Sequence, residues 1–134
     1  MADTLDLELV TPERPRVHEQ VSEVQAPCKD GYLGILPGHA PLITELAVGE
    51  ITYRNGGTTH HLSVAWGFAE VLPDKVTILA ETAERASEID VNRAESAKQR
   101  AEKDFAQCST EQEFAKVDAD LKRAETRLEV AEKK

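Results

Sequence analysis

From Ile89 to Lys134 the chain contains neither glycine nor proline, and alanine, glutamate, lysine and arginine dominate. Such a stretch has the composition of helix and leaves little room for any other regular structure. Ser87-Glu88-Ile89-Asp90 reads as an N-cap followed by an acid at the third helical position, and Thr110-Glu111-Gln112-Glu113 as a second capping box. Two helices are expected, with a break at Cys108 to Thr110. In the second, Phe114, Val117, Leu121, Ala124, Leu128 and Ala131 step by three and four into one apolar stripe. The first offers a thinner seam of Val91, Ala94, Ala97, Ala101 and Phe105. Small side chains allow close approach but bury little area, so the pair is expected to be held marginally and to be able to open.

The preceding residues have a different period. TLDLELV alternates Leu5, Leu7 and Leu9 with polar residues, the pattern of a half-buried strand. Asn55-Gly56-Gly57 lies between two β-prone runs as a hairpin turn, and Pro73-Asp74 marks another turn. Tyr32, Tyr53, Trp66 and Phe68 are expected to help fill one small core. The fold class is therefore α+β: an N-terminal antiparallel β-sandwich over residues 1–86, then a C-terminal antiparallel two-helix hairpin over residues 87–134.

Charge narrows the function. Residues 1–84 carry 5 basic against 13 acidic side chains, and residues 85–134 carry 11 against 12, for a net charge of −9. A nucleic-acid binder needs a basic face, so no nucleic-acid partner is expected. No apolar run approaches the ~18 residues of a membrane span, and MADTLDLELV lacks the regions of a signal peptide. A cytoplasmic protein without direct membrane insertion is expected. Two cysteines, Cys28 and Cys108, make no disulfide framework. His60 and His61 are adjacent in a strand and point to opposite faces, which disfavours a shared metal. No catalytic residue and no metal site are assigned.

GYLGILPGHAPL, residues 31–42, is dense in glycine and proline among aliphatic residues. Glycine allows a partner to approach the backbone, and proline reduces the entropy lost on docking. A rigid turn between strands would look similar. His39 beside glycines also raises a third reading, a small hydrolase, which would require activity from the isolated chain.

The segment GYLGILPGHAPLITEL closely resembles the Gly-x-Leu-Gly-Ile-Leu-Pro-Gly-His-Ala-Pro-Leu signature of the epsilon subunit of bacterial and chloroplast F-type ATP synthases. ELVTPER, GFAEVLPDKVTILAE and the helical tail extend the resemblance over essentially the whole chain. It implies a non-catalytic rotor subunit with a β-sandwich and a helical hairpin, which couples proton-driven rotation to ATP synthesis and brakes hydrolysis. The implied partners are the gamma subunit, the membrane rotor ring of c subunits, and the catalytic beta subunit through the C-terminal helices. The implied location is the cytoplasmic face of the bacterial inner membrane, as a peripheral part of the complex. The implied ring-facing residues are Tyr32, Gly38, His39, Ala40, Pro41 and Leu42. Tyr32 and Trp66 depart from the family pattern, which commonly has Glu and a small residue at those positions.

IDVNRA, residues 89–94, is similar to the Ile/Leu-Asp-x-x-Arg-Ala motif by which some bacterial epsilon subunits bind ATP. The resemblance implies a nucleotide site of Ile89, Asp90, Arg93 and Ala94, with Glu84 and Arg100 in the first helical region and Arg123 and Arg127 in the second helix. No cofactor is required; ATP is the expected regulatory ligand. Arg93 and Arg100 lie seven apart on nearly one helix face and Arg123 and Arg127 form an i, i+4 pair, so an antiparallel hairpin brings the pairs to similar heights. A solvated surface laced with ion pairs is the alternative for each arginine. A free-standing ATP-sensing module, without a gamma partner, is the alternative function.

Overall fold

A computed structural model describes residues 3–133 of the chain; residues 1, 2 and 134, the outer ends of the two expected segments, lie outside the described residues. Eight strands come first: β1 (Leu5–Val10), β2 (Pro15–Val21), β3 (Glu23–Cys28), β4 (Gly31–Ile35), β5 (Leu42–Leu46), β6 (Gly49–Asn55), β7 (Thr58–Val71) and β8 (Lys75–Arg85). A 3-10 turn at Ala86–Glu88 leads to α1 (Val91–Phe105) and α2 (Glu111–Ala131).

The alternation of β1 works as the sequence predicts. Leu5, Leu7 and Leu9 are fully buried and the residues between them are not. They join Val24, Ile35, Ile51, Leu62 and Ile78 in one core cluster drawn from every strand of the sandwich. The sheet runs in the order β2-β1-β8-β7-β5-β3-β4, and β6 pairs with both β3 and β7, so the sheet folds over on itself. Strands β3 and β7 each pair with both β5 and β6, and β7 does so most extensively. Its residues Thr58 to Val64 pair with β6 and its residues Gly67 to Val71 with β5, while β8 follows it from Leu62 to Val71.

The pairing is antiparallel except between β1 and β8, which run parallel. Period-two patterning says which face a residue occupies but nothing about strand direction; here the crossover between the parallel partners is the remainder of the sandwich. The hairpin turn falls at Gly56–Gly57, with Asn55 paired to Thr58.

Of the four aromatics expected in the core, Tyr53 alone is buried, whereas Tyr32 and Phe68 are more than half exposed. Phe68 alternates with the buried Ala69 and so stands on the outer face. Aliphatic residues fill the core instead.

The first helix starts later than its apparent capping box. Asp90 is the N-cap and accepts from Arg93 N–H at 3.1 Å, while Ser87 and Glu88 belong to the 3-10 turn. Glu88 serves the sandwich: its carboxylate accepts from Arg85 N–H at 3.0 Å and from the guanidinium groups of Arg14 and Arg16 at 2.8 and 2.9 Å. The second helix begins as expected, with the Thr110 hydroxyl accepting from Glu113 N–H. Glu113 reaches back to Ser109 N–H rather than to the cap residue.

Within the hairpin, Ala94 and Ala101 of α1 and Val117, Ala124 and Ala131 of α2 are buried. Phe105 and Phe114 meet near the tip with ring centroids 6.1 Å apart. The hairpin is folded down, with α2 lying along β6, β7 and β8. A second face of α2 therefore exists: Thr126 and Val130, off the predicted stripe, are buried as well.

Candidate functional site

Two regions contain most of the residues singled out by sequence. The first is the loop between β4 and β5. Gly38 N–H donates to Pro73 O at 2.7 Å, so this loop and the β7–β8 turn form one end of the sandwich. Gly38 has φ +89°, a conformation that side-chain-bearing residues rarely adopt. His39 Nδ1 lies 2.7 Å from Ala40 O. A carbonyl can only accept, so Nδ1 carries the proton and the ring braces the turn. Ala40, Pro41 and Leu42 are exposed, as is Leu36. Tyr32 is not with them. It sits at the opposite end of β4, roughly 13 Å up the strand from Leu36 at about 3.3 Å per residue, and its hydroxyl accepts from Glu50 N–H at 3.2 Å.

The second region is the groove between α1 and α2. Arg100, Asp104, Asp120, Arg123 and Arg127 line it over a floor of Ala97, Ala101 and Ala124, enclosing about 130 Å³. The alanines are what let the charged flanks of two helices share one groove. Glu84 belongs to β8, not to the first helical region, and its carboxylate accepts from Arg127 Nε at 2.6 Å. An adjoining hollow of about 180 Å³, lined by Thr11, Arg16, Thr82, Glu84 and Arg127 among others, shares that pair. Each cavity is smaller than the roughly 300 Å³ at which small-molecule sites begin; each has room for a phosphate-sized group.

The remaining predicted residues are elsewhere. Arg93 is exposed, one turn before Ala97 on the row of α1 that leads into the groove, and does not line it. Asp90 spends a carboxylate oxygen on capping α1. Ala94 is buried in the hairpin, and Ile89 clusters with Ala86, Val130 and Ala131. Four of the eight residues, Glu84, Arg100, Arg123 and Arg127, thus come together.

Sequence reasoning missed the attachment of the hairpin's end to the sandwich. Lys133 Nζ donates to both oxygens of Glu50, at 2.7 and 3.0 Å, and His61 Nδ1 lies 2.6 Å from the same carboxylate. Burial pushes the Glu50 carboxyl up, but the hydrogen bonds and charges of Lys133 and His61 outweigh it, leaving its pKa below the usual carboxylate value. At the other end of the attachment, the Arg85 backbone bond holds the Glu88 carboxyl below its usual value against a desolvation cost, with Arg16 and Arg14 adding to the effect. His60, on the face opposite His61, stacks on Tyr53 with centroids 4.8 Å apart. The signal for these ties lay in charge alone, and charge alone does not distinguish a pairing across the fold from a solvated surface.

Residues 4–86 match the model of the ATP synthase delta/epsilon chain β-sandwich domain, and residues 87–132 that of its long α-helix domain. The chain is 51% identical over 134 residues to the ATP synthase epsilon chain of Solibacter usitatus, covering 100% of both. It is 65% identical over 102 residues to that of Koribacter versatilis, covering 76% of this chain and 72% of the relative. Its fold is similar to a chain in the Euglena gracilis mitochondrial ATP synthase OSCP/F1/c-ring structure, with a TM-score of 0.82 and 25% identity over 98% of this chain and 82% of that one.

Proposed function

The chain belongs to the ATP synthase delta/epsilon chain family, as an epsilon subunit of the F-type central stalk, and from that premise we propose that it couples rotation to ATP synthesis and restrains hydrolysis through its C-terminal hairpin. It is a non-catalytic subunit. The observation that carries the proposal is the way the hairpin is attached. Among the described residues, every member of the main sandwich core lies between Leu5 and Ala83, and the hairpin contributes none. It is tied down instead by the Arg127–Glu84 and Lys133–Glu50 ion pairs and by the small cluster of Ala86, Ile89, Val130 and Ala131. Such an attachment can be released without unfolding the sandwich. A released hairpin offers the basic residues of α1 and α2 to an acidic segment of the catalytic beta subunit; a docked hairpin withholds them.

Two exposed surfaces of the sandwich suit the rotor partners. The loop end at Gly38 to Leu42 suits the polar loops of the c ring. The outer sheet face carries Ile43, Phe68 and Leu79, all more than half exposed, with Phe68 directly opposite Leu79 and diagonal to Ile43 across the ladder; it suits the gamma subunit. The assembled protein sits peripherally on the cytoplasmic face of the bacterial inner membrane, in a complex that carries protons.

ATP is the proposed regulatory ligand. The convergence of Arg100, Arg123 and Arg127 supports a polyphosphate site reaching across both helices. A ligand bound there favours the docked hairpin and lifts the brake, by RT ln(1 + [L]/Kd) or ~2.7 kcal/mol at a hundredfold excess over Kd. The test is reconstitution of the ATPase with the full chain and with a chain ending at Glu88. Faster hydrolysis with the shortened chain supports the brake, and equal rates refute it.

A further inference from the structure

Trp66 is the one non-glycine residue with positive φ among the described residues, at +51°. For a bulky side chain that conformation is a true outlier. It occurs at the corner where β7 leaves β6, whose last paired residue on β7 is Val64, and joins β5, whose first is Gly67. The cause lies next door. Gly67 has φ +128°, and a Cβ there would fall 1.8 Å from Leu79 O, so the close passage of β8 dictates the backbone of the corner. The corner turns the Trp66 indole outward beneath α2.

There the indole meets Arg123, whose Cζ lies 5.5 Å from the ring centroid. The carboxylate paired with Arg123, Asp120, stands 3.6 Å away, beyond a good hydrogen bond. Arg127, one helical turn along the same groove, instead donates its Nε–H to Glu84 at 2.6 Å. The contrast matters chemically. An indole attracts a guanidinium through its ring quadrupole and offers no acceptor lone pair, so it holds the charge in place while leaving the N–H donors available to another acceptor. A carboxylate in the same place would occupy two of those donors and neutralise the charge.

We propose that Trp66 is a positioning residue for a polyphosphate ligand: it holds Arg123 in the groove opposite Arg100, with the guanidinium donors unspent. This rests on the nucleotide reading above and adds to it a residue of the sandwich. The arrangement makes the groove complete in the docked hairpin alone, because Trp66 and Arg123 come from parts that separate when the hairpin lifts. Polyphosphate binding and docking are then linked through this one contact as well as through the groove itself.

The test is calorimetric titration of the full chain with ATP and, separately, with inorganic tripolyphosphate. The proteins are wild type, Trp66→Leu, Trp66→Phe, Arg123→Ala and the Trp66→Leu/Arg123→Ala double variant. Leu and Phe, like Trp, are L-residues with a Cβ at the same positive φ, so the variants test the side chain beyond Cβ, and circular dichroism confirms folding. Trp66→Leu should weaken both ligands roughly three- to thirtyfold, the range of a cation–π contact. Trp66→Phe should recover much of that loss, and in the Arg123→Ala background Trp66→Leu should cost nothing further. Undiminished binding by Trp66→Leu overturns the proposal. So does an equal loss with Arg123 absent, which would mean that the ring contacts the ligand itself, or a failure of Phe to rescue. Wild-type protein that binds neither ligand removes the nucleotide reading and this proposal together; wild-type binding with an unaffected Trp66→Leu removes this proposal alone.

Discussion

Replacing Glu50 by Gln should loosen the docked hairpin while leaving the sandwich one acceptor oxygen for His61. The Glu50 side chain is 11% exposed and accepts two bonds from Lys133, which is itself 45% exposed. A hydrogen bond to a charged group contributes about 1.5–3 kcal/mol when protected from water, but exposed ion pairs fall to about 1 kcal/mol or less. With one partner protected and the other half in solvent, the pair should contribute about 1–2 kcal/mol. Glutamine keeps the shape and one acceptor oxygen, so most of the loss is charge. The hairpin's other ties are the Arg127–Glu84 pair, the Arg123–Trp66 contact and a cluster in which Ile89 and Val130 are the larger side chains, each of those two side chains contributing at most about 1.5–3 kcal/mol. Against a total of that size, 1–2 kcal/mol shifts the docked-to-released ratio roughly five- to thirtyfold.

The chain carries its own reporters. Trp66 is the single tryptophan and contacts α2 through Arg123. Cys108, between the helices, is the more accessible of two free thiols, Cys28 being buried. Energy transfer from Trp66 to an acceptor dye on Cys108 should fall when the hairpin lifts, and in a urea series that loss should come at lower urea for Glu50→Gln than for wild type. Lys133→Ala should shift it similarly, and the double variant little further, because one interaction has been removed twice. The pH dependence has a definite sign. Glu50 titrates below its usual value in the docked state, so its contribution is present above the ordinary carboxylate pKa of 4.5 and is lost as pH falls through the depressed value. Glu50→Gln should remove that part of the acid sensitivity. Coincident urea curves for wild type and Glu50→Gln would refute the assignment of this carboxylate as a tie.

Other parts of the molecule yield shorter tests. Gly38→Val would confound docking with strain, since φ there is +89°, so the exposed Ala40 is the better probe: Ala40→Glu should leave thermal stability within about 0.5 kcal/mol and weaken assembly with the c ring, measured by co-purification. A chain ending at Glu88 retains the bonds of that carboxylate to Arg14 and Arg16 and should melt as a cooperative sandwich by calorimetry. Arg123→Ala should weaken ATP binding by about 1.5–3 kcal/mol by titration calorimetry, the value of a charge-assisted contact. Arg93→Ala, outside the groove lining, should cost a few tenths of that energy; equal losses would mean that ATP extends beyond the groove.

Much of the architecture was legible because it depends on local pattern. The alternation of Leu5, Leu7 and Leu9, the Gly56–Gly57 turn and the break before Thr110 each express a preference that a few residues decide among themselves. The start of α1 was misread for the opposite reason. Glu88 could serve a helix start three residues on or a sandwich strand more than seventy residues back, and two arginines on β2 and its approach, Arg16 and Arg14, decide in favour of the sandwich. Local chemistry allowed both.

The groove was half legible, and the missing half has a pattern of its own. Reading α2 for apolar steps finds the stripe that meets α1, but it passes over Ala119, Arg123, Thr126 and Val130, which step by four, three and four along the face turned to the sandwich. Thr126 and Val130 are buried there, and Arg123 reaches Trp66. That row has the composition of a solvated surface because the sandwich it meets is partly polar: Thr126 returns its hydroxyl hydrogen bond to Lys122 O within the helix, and Arg123 meets a ring rather than an aliphatic core. On the proposed function, in which α2 docks and releases, such a face has a reason. A fully apolar second face would bury its area too firmly to leave and would expose it to water each time the hairpin lifted, whereas a face of alanine, arginine, threonine and a single valine exposes little apolar area in either state and needs partners such as Trp66, Glu50 and Glu84 to make docking specific.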